Sequence, residues 1–501
     1  MKIIRDLVHG YIQIDELEKE IIDTPNFQRL KDIRQLTAQQ AYPSANHTRF
    51  EHSLGVLHLA KKAFYNLRPL LIEKYDLDPE KFKLMLLHLR IAALLHDVGH
   101  APFSHLGEKY YRKPEIKDNI KALIQARAFT IDTSIFEFGS SHELMSCYVI
   151  LKKYADTIIN ASADINLELI CRAIVRVKFA SRESKWLENI VIELINSDTI
   201  DSDKLDYLMR DSFMTGVTVP EIDTTRLFRN IFINPSLKSL TFRDKAIPVI
   251  QNIIDARDSM YLWVYNHHTA VYTDFVMDFY IKHLAVNFEK QNKFKDKMDL
   301  NKFFSCNAIS ELLVSDSDLR NKLGEPISLE NKDMSKYTGN ILPQLFYRDF
   351  LKPLWKTIYE YKDFMTKYIP DTRLRKEFEN RMCDNDHIFR RYVAKRLIQE
   401  CNLDLGEVFI VPRSNKFYSL NPEKSTFNVY IESGDRDIKE LLPQKDFKEL
   451  YNNVNFYVFG SKSKVSLIQE KFIELIKKPL PDKESLPNDA TKLEWFNYSQ
   501  A

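Results

Sequence analysis

Glycine is scarce in this chain: only 11 of 501 residues, about 2% where soluble domains average roughly 7%. Tight turns, hairpins and bulges draw on glycine because it alone enters positive φ without steric cost. A β-rich, turn-dense architecture is therefore a poor fit, and helices should dominate. Apolar residues make up 44% and charged residues 28%, a balance typical of folded globular proteins rather than of disordered or fibrous chains. The length suits about three domains of roughly 150 residues, or one large domain with appendages.

Lys and Arg total 72 against 70 for Asp and Glu, a net charge of +2. No overall positive field advertises a membrane surface or a nucleic acid, although a local basic pocket stays open. Apolar stretches such as Ile91 to Leu95 fall far short of the ~20 residues a bilayer demands. Met1 to Asp6 lacks the apolar segment of a secretory leader. A soluble cytoplasmic protein is the expectation, with no membrane partner and no nucleic-acid partner called for. The five cysteines, Cys147, Cys171, Cys306, Cys383 and Cys401, are odd in number, widely spaced and without a CxxC pair, which suits reduced thiols filling a core.

Leu84, Leu87, Ile91, Leu94, Leu95 and Val98 recur at helical spacing and predict a buried helix over 81–97. Similar patterns predict helices over about 51–75, 142–156, 186–213, 247–290 and 346–401. Residues 1–290 read as one α domain. Gln291 to Asn301 is polar and Lys-rich, and Ser305 to Asn340 lacks sustained periodicity, so 291–400 reads as a variable insertion and helical extension. Beyond Cys401, the stretches Val408 to Val411, Phe427 to Ile431 and Asn455 to Phe459 read as strands, and Ser463 to Lys478 as a closing helix. Residues 401–501 are thus expected to form a small α+β lobe, with Pro479 to Ala501 as a tail.

Thirteen histidines serve the whole chain, yet three fall in the ten residues from His96 to His105. Adjacent helical side chains point about 100° apart, so His96 and Asp97 can share one ion only in the notch where their helix stops. Gly99 is expected to provide that stop. Imidazole with carboxylate suits Fe, Mn, Zn or Ni and requires further ligands from elsewhere. Candidates lie in Thr48-Arg49-Phe50-Glu51-His52-Ser53-Leu54-Gly55 and in Asp201-Ser202-Asp203-Lys204-Leu205-Asp206-Tyr207. Asp206, with Arg210 one turn further on, fits an ordinary solvated helix face with an i, i+4 pair.

The order His52, His96-Asp97, Asp203 resembles the ligand signature of the HD-domain metal phosphohydrolases. The longer segments, Arg49 to Gly55, His96-Asp97-x-Gly-His-x-Pro-Phe-Ser-His105 and Asp203-Lys204-x-Asp-Tyr207, are similar to the deoxynucleoside triphosphate triphosphohydrolase branch. Within it the likeness is greatest to the animal form that carries a sterile alpha motif domain ahead of its HD domain, to which nothing here corresponds. The likeness starts at Lys2, is dense to about residue 290, blurs across 291–400 and returns weakly at Leu441-Leu442-Pro443.

The resemblance implies a mainly α fold with an HD-domain helical phosphohydrolase core. It implies one divalent transition metal held by His52, His96, Asp97 and Asp203, with Mg or Mn accompanying the nucleotide phosphates. The implied reaction cleaves a dNTP between its 5′ oxygen and the α-phosphorus, releasing deoxynucleoside and triphosphate. His105 is the favoured acid, with His100 and His142 beside it and Glu108 orienting the imidazole, where the animal form has Asp. Arg49, Lys204 and Arg257 match phosphate-contacting positions; Tyr207 packs on the sugar; Asp211 and Tyr265 hold the 3′-hydroxyl; Gln35 and Leu36 approach the base. Helical spacing puts Lys204, Tyr207 and Asp211 on one face.

Lys2, Ile3, Asp23, Gln28 and Lys31 fall where the animal form holds an activating nucleotide at subunit interfaces, so a nucleotide-activated homo-oligomer, dimer or tetramer, is implied. An equally good account of that stretch is an Asp23 N-cap on a helix whose Gln28 and Lys31 are plain surface. The implied consequence is a lowering of dNTP pools, as housekeeping or as defence against phage or virus. Two rivals stand beside this: an HD phosphohydrolase for monophosphates or signalling nucleotides, and an HD-type nucleotide sensor or nucleic-acid-binding module. Against the first, no Glu-Asp pair and no Gly-Tyr-Pro extension follows His96-Asp97.

Overall fold

Asp78 caps the helix Pro79–Leu95, its carboxylate accepting the Lys81 N–H at 3.1 Å, and Pro79 presets the first turn. From Phe82 to Leu95 the apolar residues are buried apart from the half-buried Leu84 and Leu87, so this helix lies inside a bundle. The helices Arg49–Pro69, Leu167–Val175 and Trp186–Ile195 pack around it. Burial of each large aliphatic side chain stabilises by roughly 1.5–3 kcal/mol, and Leu89, Ile91, Leu94 and Leu95 are all fully inaccessible. The computed structural model describes residues 2–197, 199–290, 299–324, 340–383, 388–404, 406–412, 428–431, 434–437, 454–479 and 481.

The fold is mainly helical, as the glycine count demands. Three helices predicted as continuous are broken. The run predicted over 186–213 is split into Trp186–Ile195 and Ser202–Thr215. Between them Asp201 turns back as an N-cap, accepting N–H groups from Lys204 at 2.7 Å and Ser197 at 2.8 Å. The run over 247–290 divides into Ile247–Met260, a π-helical turn Tyr261–Tyr265, and His268–Lys290. The run over 346–401 holds the short strand Lys352–Pro353 and the helices Ile358–Tyr368, Thr372–Cys383 and Ile388–Glu400. Apolar periodicity carries across each break because both sides face a core.

Sequence reasoning passed over the amino-terminal hairpin, β1 (Lys2–Asp6) and β2 (Gly10–Ile14), antiparallel with Lys2 opposite Ile14 and Asp6 opposite Gly10. Gly10 closes it at φ +77. β3 (Ile231–Ile233) and β4 (Leu240–Arg243) form a second antiparallel pair, extended in parallel by β7 (Asn428–Ile431) and then by β8 (Gly434–Asp437).

Contacts group the described residues into two compact units. The first draws on Met1–Val264, Leu300–Arg320 and Tyr418–Gln444. Residues 300–320, in the stretch without clear periodicity, thus pack with the amino-terminal helices. The second unit draws on Tyr265–Asp299, Asn321–Phe417 and Lys445–Ala501. It contains the antiparallel sheet β5 (Lys352–Pro353), β9 (Phe456–Gly460), β6 (Val408–Pro412) and the helix Val465–Ile476, whereas the strand expected over 427–431 appears, from Asn428, as β7 in the first unit. Trp355, Phe456 and Phe472 are fully buried there. Residues 291–298, 325–339, Phe427, Leu441-Leu442-Pro443 and 482–501 lie outside the described residues. All five cysteines are free, four of them buried. Among the described residues no helix is long and apolar enough to cross a membrane.

Gly99 does not act as a left-handed helix stop. The helix ends at Leu95 with His96 as a right-handed C-cap, and Gly99 is not among the positive-φ residues. It is there for closeness: a Cβ on Gly99 would lie 2.2 Å from the backbone N of Ser146. Gly216, by contrast, has φ +71 and nothing within 4 Å of its missing Cβ. Gly99→Ala should cost about 2 kcal/mol or more through overpacking, and Gly216→Ala about 1 kcal/mol through backbone strain alone. Thermal unfolding should rank the two in that order.

Candidate metal centre

Three chain segments deliver the predicted ligands to one point. His52 sits on the first turn of Arg49–Pro69, His96-Asp97 at the end of Pro79–Leu95, and Asp203 on the first turn of Ser202–Thr215. Each placement has a local cause. A capping box fixes the first helix start, with the Glu51 carboxylate accepting the Thr48 N–H at 2.9 Å, and the Asp201 cap fixes the third.

His52 Nε2 lies 3.0 Å from Asp203 Oδ1, 3.3 Å from His96 Nε2 and 3.7 Å from Asp97 Oδ2. His96 Nε2 lies 3.5 Å from Asp97 Oδ1 and 3.8 Å from Asp203 Oδ1. The far side of each ring decides what the near side offers. His52 Nδ1 is 2.7 Å from the Asp206 carboxylate, and His96 Nδ1 is 2.8 Å from the Ala93 carbonyl. Both partners only accept, so each Nδ1 carries a proton and donates it. Both Nε2 atoms therefore face the common point, as a cation requires.

The electrostatics favour positive charge there. Burial alone would depress His52, but Asp203 and Asp206 raise its pKa to about 10. Asp203 falls to about 2 despite burial, because His52 bonds it. Asp97 is held well below the usual carboxylate range against its burial by Arg49, His96 and His100. A set of two imidazole nitrogens and two ionised carboxylates fits Fe, Mn, Zn or Ni and leaves positions for water or substrate.

A second cluster adjoins the cage through Asp97, whose Oδ1 is 3.2 Å from His100 Nε2. The His100 ring stacks on His142 at 4.2 Å, and His105 meets both edge-on. Glu108 organises this trio. Its Oε2 is 3.0 Å from His105 Nδ1 and 3.1 Å from His142 Nδ1, while its Oε1 accepts the Ser141 N–H at 3.0 Å. Burial would raise Glu108, yet the two imidazoles keep it charged. In return, and against its own burial, His142 rises to about 9. His100, fully buried and facing Arg49, stays neutral. His105 has its side chain 68% exposed. One ligand atom from each of His100, His105 and His142 lies within 4.8 Å of the others, as for His52, His96 and Asp203.

The loop between the clusters is strained. Phe103 and Ser104 both have positive φ, +58 and +51, where non-glycine residues cost about 1–2 kcal/mol each. Asp316 offsets this, accepting the Phe103 N–H at 2.6 Å and the Arg34 N–H at 3.0 Å. Burial lifts its pKa to about 6. Asp316 was not legible in the sequence, because its segment has no periodic pattern.

The remaining predicted residues fall as follows. Arg49 is buried, its Nη1 2.7 Å from Asp97 and its Nε 3.0 Å from Ser104 Oγ. Lys204 Nζ is bonded to Asp201 and, at 2.6 Å, to the Ser197 carbonyl. Tyr207 is half-buried; burial raises its pKa, against the nearby Arg257. Asp211 pairs with His47 at 2.7 Å, both buried, a partner the sequence did not single out. Gln35 is buried, its N–H donating to the His47 carbonyl at 3.1 Å, with Leu36 half-buried beside it. Arg257 is buried, with its guanidinium over the Tyr261 ring. Tyr265 is half-buried at the end of the π-helical turn and belongs to the second unit.

At the amino end, Lys2 and Ile3 are exposed on β1. Gln28 donates to the Ile22 carbonyl at 2.7 Å, and the exposed Lys31 lies over the Phe50 ring. Asp23 is not the N-cap. It closes the preceding helix Glu16–Ile22, and Thr24 caps the next with its hydroxyl. Asp206 and Arg210 are not a solvated face either: they are 0% and 2% exposed, in a network with Asp6 and His9.

Comparison with known proteins agrees with this geometry. Residues 49–161 match the family model described as HD domain. The chain is 32% identical over 326 residues to an uncharacterized protein of Methanocaldococcus jannaschii, covering 64% of this chain and 57% of that one. It is 29% identical to the deoxynucleoside triphosphate triphosphohydrolase SAMHD1 homolog of Dictyostelium discoideum, covering 55% and 48%. It is 27% identical to the Bos taurus deoxynucleoside triphosphate triphosphohydrolase SAMHD1, covering 69% and 60%. The match thus spans only about half to three-fifths of each relative's length. A crystal structure described as a phosphohydrolase of Bacteroides thetaiotaomicron shares the fold, with a TM-score of 0.61, 21% identity and coverage of 92% and 100%.

Metal analysis of protein purified without chelator should find about one divalent ion per chain, and His96→Ala with Asp97→Ala should remove it. A pH effect is also expected. His58 stacks on His9, and burial lowers its pKa from 6.5 to about 4. The unfolded chain takes up that proton near 6.5 and the folded one only near 4, so stability falls as pH drops through this window. His58→Phe should flatten the fall in Tm between those limits.

Proposed function

We propose that this chain, which carries an HD domain and is related in sequence to deoxynucleoside triphosphate triphosphohydrolases, is a metal-dependent phosphohydrolase that cleaves dNTPs to deoxynucleoside and inorganic triphosphate. The observation that carries the reading is a cage for one cation, His52, His96, Asp97 and Asp203, coupled through Asp97 to a histidine cluster organised by Glu108. When bound, a divalent ion lowers the pKa of its water toward neutrality and supplies the attacking hydroxide. Iron, manganese, zinc and nickel all suit the donor set, with Mg or Mn on the phosphates.

The chain's own residues supply the rest. Cleavage at the α-phosphorus leaves an alkoxide on the 5′ oxygen, and a proton donor must meet it. His105 is exposed and its Nδ1–H is held on Glu108, so its Nε2 is the free nitrogen and delivers a proton from the doubly protonated ring, whose positive charge Glu108 stabilises. His142 shares the same carboxylate and can return a proton to the pair. Arg49 is fixed between Asp97 and Ser104 and places one guanidinium next to the cage. Lys204 and Arg257 add the remaining cations for a polyanionic substrate; Lys204 must first leave Asp201 and Ser197. Tyr207 packs on the sugar, and Asp211, oriented by His47, takes the 3′-hydroxyl. Activation by a nucleotide near Lys2, Ile3, Asp23, Gln28 and Lys31, assembly as a homo-oligomer, and depletion of dNTP pools in housekeeping or defence belong to the same proposal.

Purified protein incubated with Mn²⁺ and each dNTP, alone and in mixtures that supply activators, should yield deoxynucleoside and triphosphate by HPLC. Monophosphate or pyrophosphate as product would replace this reading with another HD phosphohydrolase chemistry. His105→Ala should lower turnover by about 100- to 10,000-fold and leave bound metal unchanged.

A further inference from the structure

Asp206 reaches beyond the metal cage. Its Oδ2 accepts the Nδ1 proton of His52 at 2.7 Å, while its Oδ1 is 2.6 Å from His9 Nε2. His9 lies in the turn of the amino-terminal hairpin, 197 residues away in sequence. The turn is set by Asp6, whose Oδ1 accepts the N–H groups of Val8 at 2.9 Å and His9 at 2.8 Å. Asp6 Oδ2 in turn accepts Arg210 Nη1 at 2.8 Å, and Arg210 closes the ring onto Asp206 through Nε at 2.9 Å and Nη2 at 3.0 Å. The side chains of Asp6, His9, Asp206 and Arg210 are all 4% exposed or less. Helix Arg49–Pro69 reaches this ring only because residue 55 is glycine: a Cβ there would fall 1.8 Å from Asp206 Oδ1.

We propose that His9 is a positioning residue for the metal ligand His52, acting through Asp206. A carboxylate gripped along one edge by a guanidinium can still pivot unless the remaining lone pair of each oxygen is also engaged. His9 and Arg210 Nη2 hold Oδ1, which turns Oδ2 and its lone pair onto His52 Nδ1. That bond fixes the His52 ring plane and keeps its Nε2 open to the cation. Arg210 grips both oxygens, and His9 completes Oδ1 as His52 completes Oδ2, so without His9 the carboxylate keeps its guanidinium but loses the donor that balances His52. The amino-terminal hairpin thereby becomes part of the metal centre although none of its residues is a ligand. This inference rests on the cage being a metal site.

Mn²⁺ titrated into the full chain after removal of metal by chelation tests it, with calorimetry reading Kd and thermal unfolding of the metal-free protein reading stability. His9→Phe keeps the ring stacked on His58 and removes the donor; His9→Gln restores an N–H of similar reach. Loss of such an outer partner typically costs 10- to 100-fold in metal affinity, so His9→Phe should weaken Mn²⁺ by about that factor. His9→Gln should recover most of the loss, with the two metal-free variants melting together. A Kd for His9→Phe within about twofold of wild type, or His9→Gln as weak as His9→Phe, overturns the proposal. A wild-type chain that binds no Mn²⁺ overturns the metal reading itself. Should His9→Phe not fold, NMR of the wild type with isotope-labelled histidine decides: the His9 Nε2–H signal should shift on adding Zn²⁺, and an unmoved signal counts against the role.

Discussion

Two imidazoles must each present an unprotonated Nε2 to the same point, and the rest of the site follows from how that is arranged. The two solutions differ in kind. His96 donates its other ring proton to the Ala93 carbonyl of its own helix, a contact any histidine at a helix end can make, and its cost is local. His52 donates to Asp206, a carboxylate on another helix whose buried charge is offset chiefly by the bidentate Arg210. The first ligand is anchored by secondary structure, the second by tertiary structure. A substitution far from the cage should therefore reach the metal through His52 rather than His96.

Asp97 does for the two clusters what Asp206 does for the cage. Its carboxylate is shared between the cage, Arg49 and His100, and Glu108 repeats the pattern by bridging His105, His142 and the first turn of Ser141–Val149. Three carboxylates, Asp97 and Asp206 buried and Glu108 half-buried, thus organise the histidines of both clusters, and Asp206 and Glu108 are hydrogen-bonded through both oxygens. Unsatisfied, any one of them would be costly in so dry an interior. The strained Phe103 and Ser104 lie between the two clusters, held by Asp316 and by the Ser104 hydroxyl on Arg34. Strain stored next to a reactive centre is tolerable only where the surrounding bonds over-determine it.

Much of this was legible in the chain. Scarce glycine and long apolar periodicity pointed to helices, and the density of histidine from His96 to His105 pointed to a metal. What escaped has common causes. Periodicity does not show a helix breaking and restarting against the same core, so 186–213 read as one helix although the Asp201 cap divides it and thereby aims Asp203. Asp206 and Arg210 read as a surface pair because i, i+4 spacing of opposite charges is usually solvated; only the hairpin folded over them makes them interior. Gly99 read as a helix stop because helix ends favour glycine, whereas its reason is the backbone of Ser146 passing 2.2 Å from where a Cβ would stand. Where the deciding neighbour is distant, no local pattern signals it: His9 lies 197 residues from Asp206, Asp316 lies 213 from Phe103 and Ser146 lies 47 from Gly99.

The central claim is that two Nε2 atoms and two carboxylates form one cation cage. Crystals soaked in Mn²⁺, with data collected for anomalous scattering, test it most directly. The account predicts a strong peak about 2.0–2.3 Å from both His52 Nε2 and His96 Nε2, with oxygen of Asp97 and Asp203 completing the set. A peak bound through Nδ1 of either ring, or no peak between the four side chains at saturating Mn²⁺, would contradict it.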